Sequence, residues 1–125
     1  MDDEKIVYRE LSYRIVGCAL AVHKTLGPGF PEAVYERALE LELQKAGLAQ
    51  ERQKCFRVLY EGRPVGNFRA DFVVDNKVIL ELKAVTEMPT VFARQVHSYL
   101  QVSGLRLGIL INFGQVKLET KRIVY

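Results

Sequence analysis

Two acids and a lysine occupy positions where a β-strand would ordinarily carry Val or Ile. Asp71 lies in Phe68-Arg-Ala-Asp-Phe-Val-Val74, and Glu81-Leu82-Lys83 interrupts the apolar run Val78-Ile-Leu-Glu-Leu-Lys-Ala-Val85. Charges on such strands carry a desolvation cost, and a divalent cation is the cheapest way to offset it. Carboxylates from neighbouring strands can hold Mg²⁺, and a lysine two residues further on points to the same side of the sheet. Gln95 and Tyr99 are four apart in a helical pattern and share a face beside the apolar stripe of Phe92, Val96 and Leu100. A buried glutamine needs hydrogen-bond partners, and a neighbouring site would supply them. Glu32 is a third candidate acid. It stands beside Pro31 at a helix start, where the helix dipole alone favours a carboxylate, so by itself it reads as structural.

The elements that must position these residues follow from periodicity. Over residues 8–26, apolar side chains recur at Leu11, Ile15, Cys18, Ala19, Val22 and Leu26, the spacing of one helical face. Gly27-Pro28-Gly29 breaks this helix. Pro31 opens a second, with candidate apolar stripes at Val34, Ala38, Leu41 and at Tyr35, Leu39, Leu43, ending near Gly47. The period then changes to two: 56–60, 65–74 and 77–85 read as a three-stranded antiparallel meander with turns at 61–64 and 75–76. A third helix runs from Pro89 to about Ser103 with Gly104 as its stop, and strands at 105–113 and 116–124 meet at Gly114-Gln115. The order α-α-β-β-β-α-β-β predicts an α/β fold, a mixed β-sheet flanked by helices, in one domain over 1–125.

Register adds a constraint. Alternation puts Ile79, Glu81 and Lys83 on one face of their strand and Val78, Leu80 and Leu82 on the other. A two-residue turn at Asp75-Asn76 would set Asp71 opposite Leu80, on the wrong side. The two carboxylates meet only if a longer turn or a bulge lies between Ala70 and Ile79.

Bulk properties set looser bounds. A net charge of +3, with 49% hydrophobic and 26% charged residues, describes a globular chain whose charge permits a nucleic-acid partner without requiring one. Cys18 and Cys55 lack C-x-x-C spacing, and with His23 and His97 they are too few for a zinc or iron–sulfur site. Buried thiols in a reducing compartment are expected. The acidic start, Met1-Asp-Asp-Glu-Lys5, does not read as a signal peptide, and no apolar run approaches the ~18–20 residues that span a bilayer. A cytoplasmic protein with no membrane contact is expected. His23 falls near a helix end and reads as packed or capping, and His97 points to the flank; neither joins the candidate site.

The chain resembles the GxxExxY family, a branch of the PD-(D/E)XK nuclease superfamily. The resemblance rests on Gly29-Phe-Pro-Glu32-Ala-Val-Tyr35, Val22–Phe30, Val65–Asp71, Leu80-Glu-Leu-Lys-Ala84, Gln95-Val-His-Ser-Tyr-Leu100 and Gly108–Phe113. It implies a restriction-endonuclease-like fold with Asp71 and Glu81-x-Lys83 as core signature, Glu32 as the acid of the first core helix, and Gln95-x-x-x-Tyr99 as a RecB-like motif. Ala70 stands where the superfamily carries proline, and no cysteine cluster for an iron–sulfur centre is present. The implied activity is metal-dependent hydrolysis of phosphodiester bonds in DNA. Asp71, Glu81, the Leu82 backbone carbonyl and Glu32 would hold Mg²⁺ or Mn²⁺, with Lys83, Gln95 and Tyr99 completing the site. Arg69 and Arg94, with Lys117, Lys121 and Arg122, are candidates to track a nucleic-acid backbone, although scattered surface charge is the commoner reading. The competing expectation is a catalytically silent module of the same fold that binds nucleic acid or a protein partner, alone or as a homo-oligomer.

Overall fold

The computed structural model describes residues 6–125; the acidic run at 1–5 lies outside the described residues. The elements follow the expected order: α1 (Arg9–Leu26), α2 (Glu32–Lys45), β1 (Gln50–Tyr60), β2 (Arg63–Val74), β3 (Val78–Lys83), α3 (Thr90–Ser103), β4 (Leu107–Asn112) and β5 (Glu119–Val124). They form a five-stranded sheet in the order β1-β2-β3-β4-β5. Only β3 and β4 run parallel, because α3 carries the chain back to the same end of the sheet; the other pairs are antiparallel.

Helices cover both faces. Ile15, Ala19 and Val22 of α1 and Tyr35, Leu39 and Leu43 of α2 pack with Val78, Leu80 and Leu82 of β3 on one side. Val96 and Leu100 of α3 pack with Ala70, Val73 and Ile79 on the other. Because β3 and β4 are covered twice, they are buried along almost their whole length and read as continuous apolar runs. Of the two stripes on α2, Tyr35, Leu39 and Leu43 enter the core; of the other, Ala38 packs half-buried against it while Val34 and Leu41 are exposed.

Two strand starts depart clearly from the periodicity. β1 begins at Gln50 rather than near 56, because Gln50 to Lys54 are polar and show no apolar alternation. β5 begins only at Glu119, and residues 113–118 form its connection to β4. Cys18 is buried as expected, whereas Cys55 is exposed, on a face of β1 that no helix covers. No helix among the described residues is long and apolar enough to cross a membrane.

The parallel pair is locked just past its end. Asn112, fully buried opposite Lys83, accepts bonds from the amides of Val85 (3.0 Å) and Gly114 (3.0 Å) and donates to the Val85 carbonyl (2.9 Å) and Glu119 (3.2 Å). That clamp pulls Gly114 against the backbone of Ala84 and Val85, where a Cβ would come within 2.7 Å of the Ala84 carbonyl carbon. Backbone cannot rotate away as a side chain can. Gly114→Ala is therefore expected to cost about 2–3 kcal/mol, read as a lower urea midpoint at unchanged m-value. Gly66→Ala, whose Cβ meets nothing within 4 Å, is the matched control.

Candidate active site

The site forms where the sheet is pulled apart at Asp71. Val74 pairs with Val78, Val73 with Ile79 and Phe72 with Leu80, so the connection spans residues 75–77 and Asp71 comes level with Glu81, as the register constraint required. Asp75 and Asn76 both adopt φ near +55°, which short polar side chains tolerate. Beyond Phe72 the ladder stops and side chains replace it. The Asp71 amide donates to Glu81 Oε1 (3.1 Å), and the Leu82 amide donates to Asp71 Oδ2 (2.8 Å).

The other edge of β2 is broken at the same residue. β1 and β2 pair at Arg52–Phe72 and Lys54–Ala70 but skip Gln53 and Asp71, and Gln53 has φ +55° in mid-strand. Its side-chain amide donates to Asp71 Oδ1 (3.2 Å) and to Glu36 Oε1 (2.9 Å). Side-chain alternation reverses here too: Ala70 packs on the α3 side and Phe72 on the α1–α2 side. A left-handed non-glycine residue within a strand is strain retained where the surroundings over-determine it.

The helix carrying Glu32 is anchored by Tyr35. That fully buried side chain donates to the Gly27 carbonyl (2.5 Å), accepts from the Phe30 amide (3.2 Å) and stacks on Phe113 at 4.6 Å between ring centroids. The loop can fold back on Tyr35 because Gly29 takes φ +112°, which a side chain would resist. One turn further on, Glu36 is buried and ion-paired to Arg52 at 2.8 Å.

Electrostatics tie these groups together. Burial and then the charge of Asp71 push Glu81 up to about 8 from the usual 4.5. Asp71 is raised mainly by burial and also by Glu36, although the Leu82 amide and Lys83 pull it down. Glu32 is raised by desolvation and by Asp71, with Lys83 again opposing. Lys83 makes no salt bridge among the described residues; its ammonium lies 4.3 Å from the Phe92 ring centroid. The result is an acid cluster short of positive charge. Among the described residues no three acid, histidine or cysteine side chains are already gathered to hold a metal ion. The donor set of Asp71, Glu81 and Glu32 nonetheless suits a hard divalent cation in kind, since all are carboxylates and Lys83 alone opposes their mutual repulsion.

Tyr99 and Gln95 part company. Tyr99 is half-buried, stacks on Phe68 at 3.9 Å, and has its hydroxyl pushed up by burial and by Glu81 and Asp71. Gln95 is exposed and makes no side-chain hydrogen bond among the described residues, so the burial expected of it does not hold. Arg69 and Arg94 are exposed, and neither is drawn into the acid cluster. His23 is packed, with Nε2 2.8 Å from the Gln115 carbonyl oxygen, and His97 lies against Tyr125 at the flank. Sequence reasoning missed Glu36 and Gln53. Glu36 lay one turn beyond Glu32, a readable signal; nothing marks Gln53 before its backbone is seen. A concavity of about 830 Å³ lined by Tyr8, Tyr13, Arg14, Asp75 and Lys77 contains none of these acids, so shape alone points away from the chemistry.

Comparison with known proteins agrees with the fold. A model of the PD-(D/E)XK nuclease superfamily matches residues 9–123. The solved structure "Crystal structure of SSO0001" superposes with a TM-score of 0.60 at 18% identity, covering 74% of this chain and 48% of that one. This chain thus spans about half the length of that protein, and the likeness shows the restriction-endonuclease-like α/β fold alone. No curated protein gives a significant match.

The raised acids set a pH dependence. Folded Glu81 keeps its proton to about pH 8, whereas the unfolded chain releases it near 4.5, so the native state binds more protons between those values. The associated stability is present below 4.5 and is lost as pH rises through 8. In metal-free buffer, urea unfolding should show falling stability from about pH 5 to about pH 8, with a shallower fall in Glu81→Gln. Equal slopes in the two proteins would contradict the shift.

Proposed function

The chain belongs to the PD-(D/E)XK nuclease superfamily, and from that premise we propose that it is a divalent-metal-dependent nuclease hydrolysing phosphodiester bonds in DNA. The observation that carries this reading is the splay at Asp71, where each of two strand carboxylates bonds a backbone amide of the other strand, with Lys83 two residues beyond Glu81. Strain, charge repulsion and a broken ladder together are a cost that packing does not require.

Asp71, Glu81, the Leu82 carbonyl and Glu32 would hold Mg²⁺ or Mn²⁺. The chemistry such an ion would supply is polarisation of a phosphodiester oxygen and activation of a water at neutral pH. Lys83 offsets negative charge that develops on the phosphate and holds the attacking water. Gln53 fixes the Asp71 carboxylate, and the Leu82 amide fixes its other oxygen. Tyr99 supports the site from the α3 side, and Gln95, unconstrained and exposed, is available to a phosphate or water. The placement within the GxxExxY branch belongs to the same reading, supported by Tyr35 tying the Gly27–Phe30 loop and so setting where Glu32 begins its helix.

Metal should stabilise the fold by relieving repulsion among the acids, so the melting temperature should rise with Mn²⁺ in wild type and not in Asp71→Asn. Cleavage of labelled DNA should fall by at least about 10²-fold in Lys83→Ala while metal-induced stabilisation persists, since a charge and no ligand is removed. Tyr99→Phe should be mild because the ring keeps its stacking, with Gln95→Ala in between. Wild-type protein that cuts nothing and takes up no metal would replace this reading with a silent binding module.

A further inference from the structure

The pairing of β1 with β2 outlasts that of β2 with β3. Past Phe72–Leu80, β2 has only β1 for a partner, and the two continue to Tyr60–Arg63 as a two-stranded ribbon rooted at Gln53 and Asp71. At ~3.4 Å per residue this arm is about 25 Å long. Its two faces differ. On one, Phe56 stacks on Phe68 at 5.1 Å and Phe68 on Tyr99. On the other, Arg57 stands opposite Asn67 and Cys55 opposite Arg69, all four exposed.

Charge is concentrated there. Residues 54–69 carry four cations, Lys54, Arg57, Arg63 and Arg69, against the single acid Glu61, an excess equal to the whole chain's net charge of +3. Of these, Lys54 is held by Glu51 at 2.9 Å, as Arg52 is by Glu36, Arg37 by Glu40 and Lys45 by Glu42. Among the described residues, Arg57, Arg63 and Arg69 make no ion pair and no side-chain hydrogen bond.

We propose that the outer face of this ribbon is the surface that receives duplex DNA, seated in a groove with Arg57 and Arg69 on phosphates or base edges. The proposal rests on the nucleic-acid reading above and narrows its substrate to the double strand. A two-stranded ribbon fits the major groove, and arginine and asparagine are the side chains that bind its edges. Arg57–Asn67 and Cys55–Arg69 lie two residues apart, a spacing of ~6.8 Å that matches two base-pair steps of ~3.4 Å. Single-strand binders instead present aromatic platforms to bases. Here Phe56 and Phe68 are turned inward and already stacked, which leaves the exposed Tyr60 at the tip and no run of rings for successive bases.

The test is fluorescence anisotropy in EDTA, with a labelled ~20-base-pair duplex and one of its single strands, across a range of salt. Arg57→Ala/Arg69→Ala should lose at least about tenfold in duplex affinity at low salt, and its salt slope should drop by about 1.8, two phosphates at ~0.9 each. Lys24→Ala/Lys45→Ala, two exposed cations on the helices, is the surface-charge control, and Arg57→Lys/Arg69→Lys, which keeps the charge, should retain the slope. The proposal is overturned if the alanine pair binds as wild type, if it loses no more than the lysine control, or if wild type prefers the single strand. Ribbon-dependent duplex binding by a protein that cuts nothing would sink the nuclease reading and leave the ribbon standing. Undiminished cleavage at subsaturating duplex by the alanine pair would do the reverse.

Discussion

Everything at the functional end of this molecule follows from one exchange: at Asp71 the sheet gives up backbone pairing on both edges and takes carboxylate-to-amide bonds instead. A strand residue with normal neighbours presents its side chain perpendicular to the sheet. Asp71 instead turns its carboxylate into the sheet plane, where it accepts from Leu82 on one strand and Gln53 on the other. Hydrogen bonds to charged acceptors are stronger than the neutral ladder bonds they replace, so the sheet survives the opening. The opening in turn lets groups from both layers reach the same few ångströms: Glu36 from the α1–α2 side, Tyr99 from the α3 side.

The surrounding structure holds this gap from the outside. Tyr35 fastens the loop before α2 and sets the position of Glu32. Asn112 fastens β4 to the segment after β3, so the strand that carries Glu81 and Lys83 cannot slide along its parallel partner. Both anchors are buried and fully bonded polar side chains, whose loss would leave unsatisfied backbone groups. The strain at Gln53 persists between these fixed points.

Much of this could be read from residue types. Asp71, Glu81 and Lys83 stood out because each is costly where a strand would place Val or Ile, and Pro89 and Gly104 marked the limits of α3. The need for a longer turn or a bulge followed from parity alone, and the structure uses the turn. What stayed hidden was local backbone: the left-handed Gln53 carries an ordinary polar side chain, and its role depends on a φ angle that no pattern encodes. The start of β1 was invisible for a related reason, since a strand paired on one edge and little covered has no apolar alternation to show. Gln95 erred in the opposite direction. Its spacing from Tyr99 was right, but a shared helical face spans both buried and exposed positions.

The ribbon also has two bare edges, since β1 is the sheet's outermost strand and β2 loses its second neighbour past Phe72. Open edges invite another chain to add itself as the next strand, and proteins blunt them with charge and proline. Arg57, Arg63 and Arg69, with Pro64 near the tip, do that here. The cations proposed to meet a polyanion are thus the ones that would discourage a second copy from adding a strand, so one set of side chains would serve both purposes.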